Sequence, residues 1–223
     1  MTLTLAFDIY GTLIDTRGVE TTLTGMVGSD AAAVSRTWRD KQLEYAFRRG
    51  LMGRYQPFSE CTRQALDFAL AFHQHSLQAD QRQQLLDCYQ HLPAFTDALP
   101  ALHSLQAEGY QLWAFSNGQA TAVDTLLVNA GLRDCFAGIV SVDDVHSFKP
   151  DPKVYAHFLA RTNAEAATTW LVSSNPFDVI GARSAGWQAA WIQRSAAVVF
   201  DPWELAPSQT LSALTELAAA LKR

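Results

Sequence analysis

In the stretch AFDIYGTLID, residues 6–15, an apolar run ends on Asp8 and is followed by Gly11 and Thr12. A carboxylate at the end of a buried strand is placed for nucleophilic or acid–base work. Three further polar clusters follow apolar runs: SNG at 116–118, SFKPD at 147–151 and SSNPFD at 173–178. Between them they supply a second carboxylate (Asp178), an amine (Lys149), hydroxyls (Ser116, Ser173) and amides (Asn117, Asn175). Taken singly, each cluster also suits an ordinary turn or helix N-cap, where Asp, Ser and Asn are favoured. Their shared position is the stronger signal. Strands of a parallel sheet end at one edge, so all four clusters converge there.

The elements that would carry them follow from periodicity. Short runs rich in β-branched and aromatic residues predict strands over 3–7, 111–115, 138–141, 170–173 and 189–192. Helical spacing predicts helices over 99–108, 120–130, 153–160 and 178–185. This alternation predicts an α/β fold with a doubly wound parallel sheet. One interval breaks the rhythm: residues 18–95 carry almost no strand signal, and their apolar positions recur at helical periods. The predicted division is therefore a core of residues 1–16 and 97–223 with a helical insertion, 17–96, over the carboxyl ends of the strands. Leu211, Leu214, Leu217 and Leu221 share one face of a predicted packing helix over 205–221.

Composition narrows the partners. The 223 residues are 48% hydrophobic and 17% charged, enough for one full core and a modest second domain. A net charge of −5, with no basic cluster beyond Arg48-Arg49, argues against nucleic acid and anionic membrane surfaces. Cys61, Cys88 and Cys135 are scattered and odd in number, as expected of reduced thiols in the cytoplasm. The opening MTLTLAF lacks the basic n-region of a secretory signal and reads as a strand. No Gly-x-Ser-x-Gly elbow is present, which argues against an α/β-hydrolase route.

The order of motifs, with FDIYGTLID, WRDKQLEYAFRRGLMGRYQPF, FSNG, KPD followed by VY, and VSSNPFDVIGAR, resembles the L-2-haloacid dehalogenases of the haloacid dehalogenase superfamily. The resemblance spans the chain and implies the Rossmann-like core and helical cap of that superfamily. It also implies hydrolysis of short (S)-2-haloacids to (R)-2-hydroxyacids through an aspartyl ester, with no cofactor, in a cytoplasmic homodimer. Residue by residue, it makes Asp8 the nucleophile and Thr12 a brace of its loop. Lys149 becomes the ammonium that keeps Asp8 ionised, supported by Tyr155. Ser173, Asn175 and Asp178 complete the catalytic set, with Asp178 a partner of Lys149 and a candidate for activating the hydrolytic water. Arg39, Asn117 and Phe177 match halide-cradle positions, Phe177 standing where relatives often carry tryptophan. Ser116 matches the binder of the substrate carboxylate, helped by backbone N–H groups around Ile9 and Tyr10. Leu43 lies on one helix face with Arg39 and lines the pocket. Phe58 matches an apolar wall and reads equally well as cap core.

Two departures from the superfamily's phosphatases bear on metal. Those enzymes carry an aspartate two residues after the nucleophile, as general acid, and an acidic magnesium ligand in the fourth motif. Here the positions are Tyr10 and Ser174. A hydroxyl is a weak ligand for magnesium, which is usually held by carboxylate oxygens. A departing halide needs no proton, so a lone carboxylate suffices, and no metal is expected. The rival readings are a magnesium-dependent phosphatase and a non-catalytic scaffold of the same fold.

Overall fold

A computed structural model describes residues 3–222. Six parallel strands form one sheet in the order β3-β2-β1-β4-β5-β6. They are β1 (Thr4–Phe7), β2 (Gln111–Ser116), β3 (Gly138–Ser141), β4 (Thr169–Ser173), β5 (Gln188–Ile192) and β6 (Gln209–Leu211). The chain steps outward from β1 through β2 to β3, then returns to the other side of β1 as β4. The loops after β1 and β4 thus flank the switch point, the place where open α/β sheets bind ligands. Both loops carry polar clusters, Asp8–Thr12 and Ser173–Asp178.

Side-chain alternation explains the two layers of helix. In β1, Leu5 and Phe7 enter one apolar cluster and Ala6 the other. The first cluster is closed by α5 (Ala98–Ala107) and α6 (Ala120–Asn129), through Ala101, Leu102, Leu105, Val123, Leu126 and Leu127. The second is closed by α7 (Pro152–Thr162) and α8 (Pro176–Ser184), with Tyr155, Phe158, Val179 and the fully buried Trp187 against Phe115. Truncating a buried aromatic such as Trp187 to Ala costs about 3–5 kcal/mol, enough to threaten a domain of ordinary stability.

Four helices lie between β1 and β2: α1 (Gly18–Val27), α2 (Ala31–Leu51), α3 (Phe58–Phe72) and α4 (Ala79–Cys88). The two chain segments leading into and out of them pair with each other, Asp15 N–H to Pro93 O at 2.8 Å and Phe95 N–H to Leu13 O at 2.8 Å. α2 buries Val34, Trp38, Gln42 and Ala46, four residues apart, on the face turned to its helical neighbours. Among the described residues no helix is long and apolar enough to cross a membrane.

The C-terminal expectation fails. Residues 205–221 do not form one helix: β6 extends the sheet beside β5, followed by a 3₁₀ turn, Leu214–Glu216, and a short α9, Leu217–Ala220. Leu211, Leu214 and Leu217 are nevertheless all buried. A three-residue spacing can be met by a strand end, a 3₁₀ turn and a helix start in succession, so periodicity alone did not distinguish them.

Candidate active site

Asp8 follows β1 directly, its N–H bonded to Val172 O of β4 at 3.0 Å. The chain then turns sharply at Gly11, whose φ of +83° suits glycine. That turn swings Thr12 back under Asp8. One carboxylate oxygen of Asp8, Oδ2, accepts from Thr12 Oγ1 at 2.8 Å, Asn175 Nδ2 at 2.7 Å and Ser173 Oγ at 3.3 Å. The other, Oδ1, accepts from Lys149 Nζ at 3.3 Å. Thr12 Oγ1 is itself fixed by the N–H of Ser174 at 2.8 Å.

Lys149 is only 1% exposed, and every donor position on its ammonium is used. Besides Asp8 it donates to Phe115 O at 2.9 Å and Asp178 Oδ2 at 2.7 Å. A buried ammonium is tolerated only with such partners, since an unpaired one costs several kcal/mol. Asp178 is fully buried, and its Oδ1 accepts from the Tyr155 hydroxyl at 2.8 Å. Burial pushes the Asp178 carboxyl up to about 6; Lys149 pulls it down and Asp8 pushes it further up. Burial also drives the Tyr155 phenol well above its ordinary value, so it stays a donor.

Over these strand ends lies a small cleft, lined by Asp8, Tyr10, Arg39, Leu43, Phe58, Ser116, Asn117, Lys149, Asn175 and Phe177. Thr12, Ser173, Tyr155 and Asp178 stand behind this lining, joined to it by the bonds above. Ile9 does not line the cleft; its side chain is buried in the core, so only its backbone could meet a ligand. Tyr10 and Phe58 also wall a larger neighbouring cleft, bounded by α3, α4 and the chain from Gly118 to Ala122.

Three lining groups have one polar function satisfied and another left over. Ser116 Oγ accepts from Gly118 N–H at 3.0 Å, which leaves its hydroxyl hydrogen to donate. Asn117 Oδ1 accepts from Lys149 N–H at 2.9 Å, which fixes its NH₂ as the free end. Arg39 Nη1 donates to Gln42 Oε1 at 2.8 Å, and among the described residues no carboxylate pairs with it. Phe177, near the start of α8, packs edge-on against Phe47 of α2 with centroids 5.1 Å apart. The Tyr10 phenol is raised to about 12, chiefly by burial, so it is a poor acid at neutral pH.

The donor set does not fit a divalent cation. An ammonium lies between the carboxylates of Asp8 and Asp178, and the buried Ser174 Oγ, which has no hydrogen-bond partner, is neutral. Among the described residues no group of three or more His, Cys, Asp and Glu is gathered as a metal site would need.

Sequence reasoning passed over two residues that shape this site. Gln42 is fully buried in phase with Val34, Trp38 and Ala46, and a polar residue in an apolar stripe was the available signal. Gly181 of α8 lets Tyr155 and Pro150 approach: a Cβ there would meet the Tyr155 hydroxyl at 2.2 Å and Pro150 Cβ at 2.7 Å. No local pattern announces that contact.

Residues 2–186 match the haloacid dehalogenase-like hydrolases. An (S)-2-haloacid dehalogenase of Pseudomonas putida is 35% identical over 214 residues, covering 96% of this chain and 94% of that protein. (S)-2-haloacid dehalogenase 1 of Pseudomonas sp. (strain CBS-3) is 36% identical over 220 residues, covering 97% and 95%. The L-2-haloacid dehalogenase of Xanthobacter autotrophicus, solved with chloropropionic acid covalently bound, superposes with a TM-score of 0.94 at 29% identity, over 100% of this chain and 99% of that one. Likeness of sequence and of fold over almost the full length places this chain in the haloacid dehalogenase-like hydrolases, within the (S)-2-haloacid dehalogenase family.

Proposed function

We propose that this protein hydrolyses short (S)-2-haloacids to (R)-2-hydroxyacids and halide, with Asp8 as nucleophile and without metal. The single observation that carries the reading is the asymmetry of Asp8: among the described residues, three neutral donors hold Oδ2, while Lys149 alone donates to Oδ1. Oδ1 attacks C2 of the substrate from the side opposite the carbon–halogen bond, so C2 inverts and the bonding pair leaves with the halide. The substrate carboxylate takes the Ser116 hydroxyl and backbone N–H groups around Tyr10. The halide leaves toward the unpaired guanidinium of Arg39, the free NH₂ of Asn117 and the ring of Phe177. Charge fixed where negative charge develops acts most strongly when the site is shielded from bulk water.

Water then adds to the Asp8 carbonyl carbon of the ester. Charge grows on Oδ2, where Thr12, Ser173 and Asn175 already donate, so the same three groups serve as an oxyanion hole. Collapse of this intermediate breaks the bond to Oδ1 and restores the carboxylate. One proton of the water ends on the product hydroxyl and the other passes to solvent. Asp178, poised near 6, is the base of the network, and Lys149 and Tyr155 hold it.

The division of labour we propose is a cap of residues 17–96, supplying Arg39, Leu43 and Phe58, over a core of 1–16 and 97–223 that supplies the rest. A reducing, cytoplasmic setting is supported by three free cysteines. A homodimer is supported by the family resemblance, and Leu51, Met52 and Phe72 offer exposed apolar surface on the cap. The test of function is halide release from each enantiomer of 2-chloropropionate in the presence of a chelator. Chloride from the (S) form alone, with (R)-lactate as product, is expected. Phosphate release from a phosphomonoester with magnesium, and no chloride, would contradict the reading.

A further inference from the structure

We propose that Gln42 is a positioning residue for the leaving group: locked by Thr62, its amide aims the Arg39 guanidinium without neutralising it. The inference rests on the reading that Arg39 receives the halide. Its basis is a relay of three hydrogen bonds that runs from the cleft toward its larger neighbour, where Gln42 and Thr62 are lining residues. Arg39 Nη1 donates to Gln42 Oε1 at 2.8 Å, Gln42 Nε2 donates to Thr62 Oγ1 at 2.6 Å, and Thr62 Oγ1 donates to Phe58 O at 2.9 Å. The direction of the relay is forced. The single hydroxyl hydrogen of Thr62 goes to Phe58 O, so only its lone pairs remain for Gln42, whose NH₂ must face Thr62. The carbonyl end of Gln42 must then face Arg39.

Burial makes this arrangement costly to disturb. Gln42 is 0% exposed and Thr62 6% exposed, and Trp38 Nε1 clamps Thr62 O at 2.8 Å. A buried amide with unmet hydrogen bonds is destabilising, so the relay holds one geometry. The relay also ties Arg39 on α2 to the Phe58 carbonyl on α3, so one network braces two lining residues of the cleft. The choice of an amide over a carboxylate is chemically pointed. A carboxylate would bind the guanidinium more strongly and cancel the charge that a departing halide needs. A neutral carbonyl orients the guanidinium and leaves its charge intact.

The test compares Gln42→Glu, Gln42→Met and wild type on (S)-2-chloro-, 2-bromo- and 2-iodopropionate, reading kcat/KM, which covers steps up to the carbon–halogen cleavage. Gln42→Glu should lower the chloride value about 100-fold and the iodide value least, because the poorest leaving group depends most on a placed cation. Gln42→Met should show the same order with a smaller loss, about tenfold. Competitive inhibition by added bromide should weaken in both. If Gln42→Glu fails to fold, as judged by its thermal melt, the neutral Gln42→Met decides. Losses equal across the three halides, with bromide inhibition unchanged, would overturn the proposal and leave Gln42 as packing alone. A wild type that releases no halide would instead defeat the dehalogenase reading itself.

Discussion

On the core wall of the cleft, Asp8 accepts hydrogen bonds from Thr12, Lys149, Ser173 and Asn175, which arrive from three separate loops. On the cap wall, the Arg39 side chain makes one hydrogen bond among the described residues, to Gln42 of its own helix. The contrast is what the proposed mechanism asks of each wall. A nucleophile has to be held along one line of attack, and parallel strand ends supply many donors at a fixed edge. A receptor for a leaving ion has to keep N–H groups unspent, so its anchoring is confined to one edge of the guanidinium. On the proposed mechanism, cleavage would be served by a crowded carboxylate and departure by a sparsely bonded cation.

The sharpest way to break the comparison is at its crowded end. Asp8→Asn keeps shape and most hydrogen bonds yet removes the attacking charge, and should lower kcat by about 10⁴-fold or more in a variant that still folds, as read by circular dichroism. Steady-state halide release checks it, and retained turnover would remove Asp8 from the nucleophile's role. At the sparse end, Arg39→Ala should cost about 10²–10³-fold in kcat, as loss of one charge-stabilising donor does elsewhere. The loss should be largest for chloride among the halides, in a series of substrates differing only in leaving group.

Next in size is the pH dependence. As the proposed base, Asp178 must be ionised to accept a proton and to hold Lys149, and its carboxyl is raised to about 6 by burial. Activity is therefore expected to fall as pH drops through about 6, roughly tenfold per unit below it, in a kcat profile. Stability has the opposite sign. The raised carboxyl favours the folded state fully below its unfolded value of 3.8, and that contribution is lost as pH rises through about 6. The smallest expected effect is Gly181→Ala, which forces Tyr155 away from Asp178. Overpacking there should destabilise the fold by about 1–3 kcal/mol, read in a denaturant melt, and should shift the pH profile as the Tyr155 bond weakens.

The two walls also differed in how far the sequence disclosed them. Asp8, Ser116, Lys149 and Ser173 close or follow apolar runs, and a parallel sheet forces such positions together. Arg39 and Leu43 were placed by helical spacing and by resemblance, and α2 does carry both to the cleft. Gln42 stayed hidden because its value lies in a partner, Thr62, on another helix. Gly181 stayed hidden because a close approach between α7 and α8 has no local pattern. β6 was read as helix because Leu211, Leu214 and Leu217 recur every third residue, a spacing that a strand end and a 3₁₀ turn satisfy together.

The most direct measurement is a single turnover in ¹⁸O-water with enzyme in excess over (S)-2-chloropropionate, followed by mass spectrometry of the lactate and of the peptide containing Asp8. If Asp8 is the nucleophile, the lactate oxygen comes from the protein, so the lactate stays unlabelled and Asp8 gains the label. Labelled lactate with an unlabelled Asp8 would mean that water attacks C2 directly, and the crowded carboxylate would then be a base and not the nucleophile.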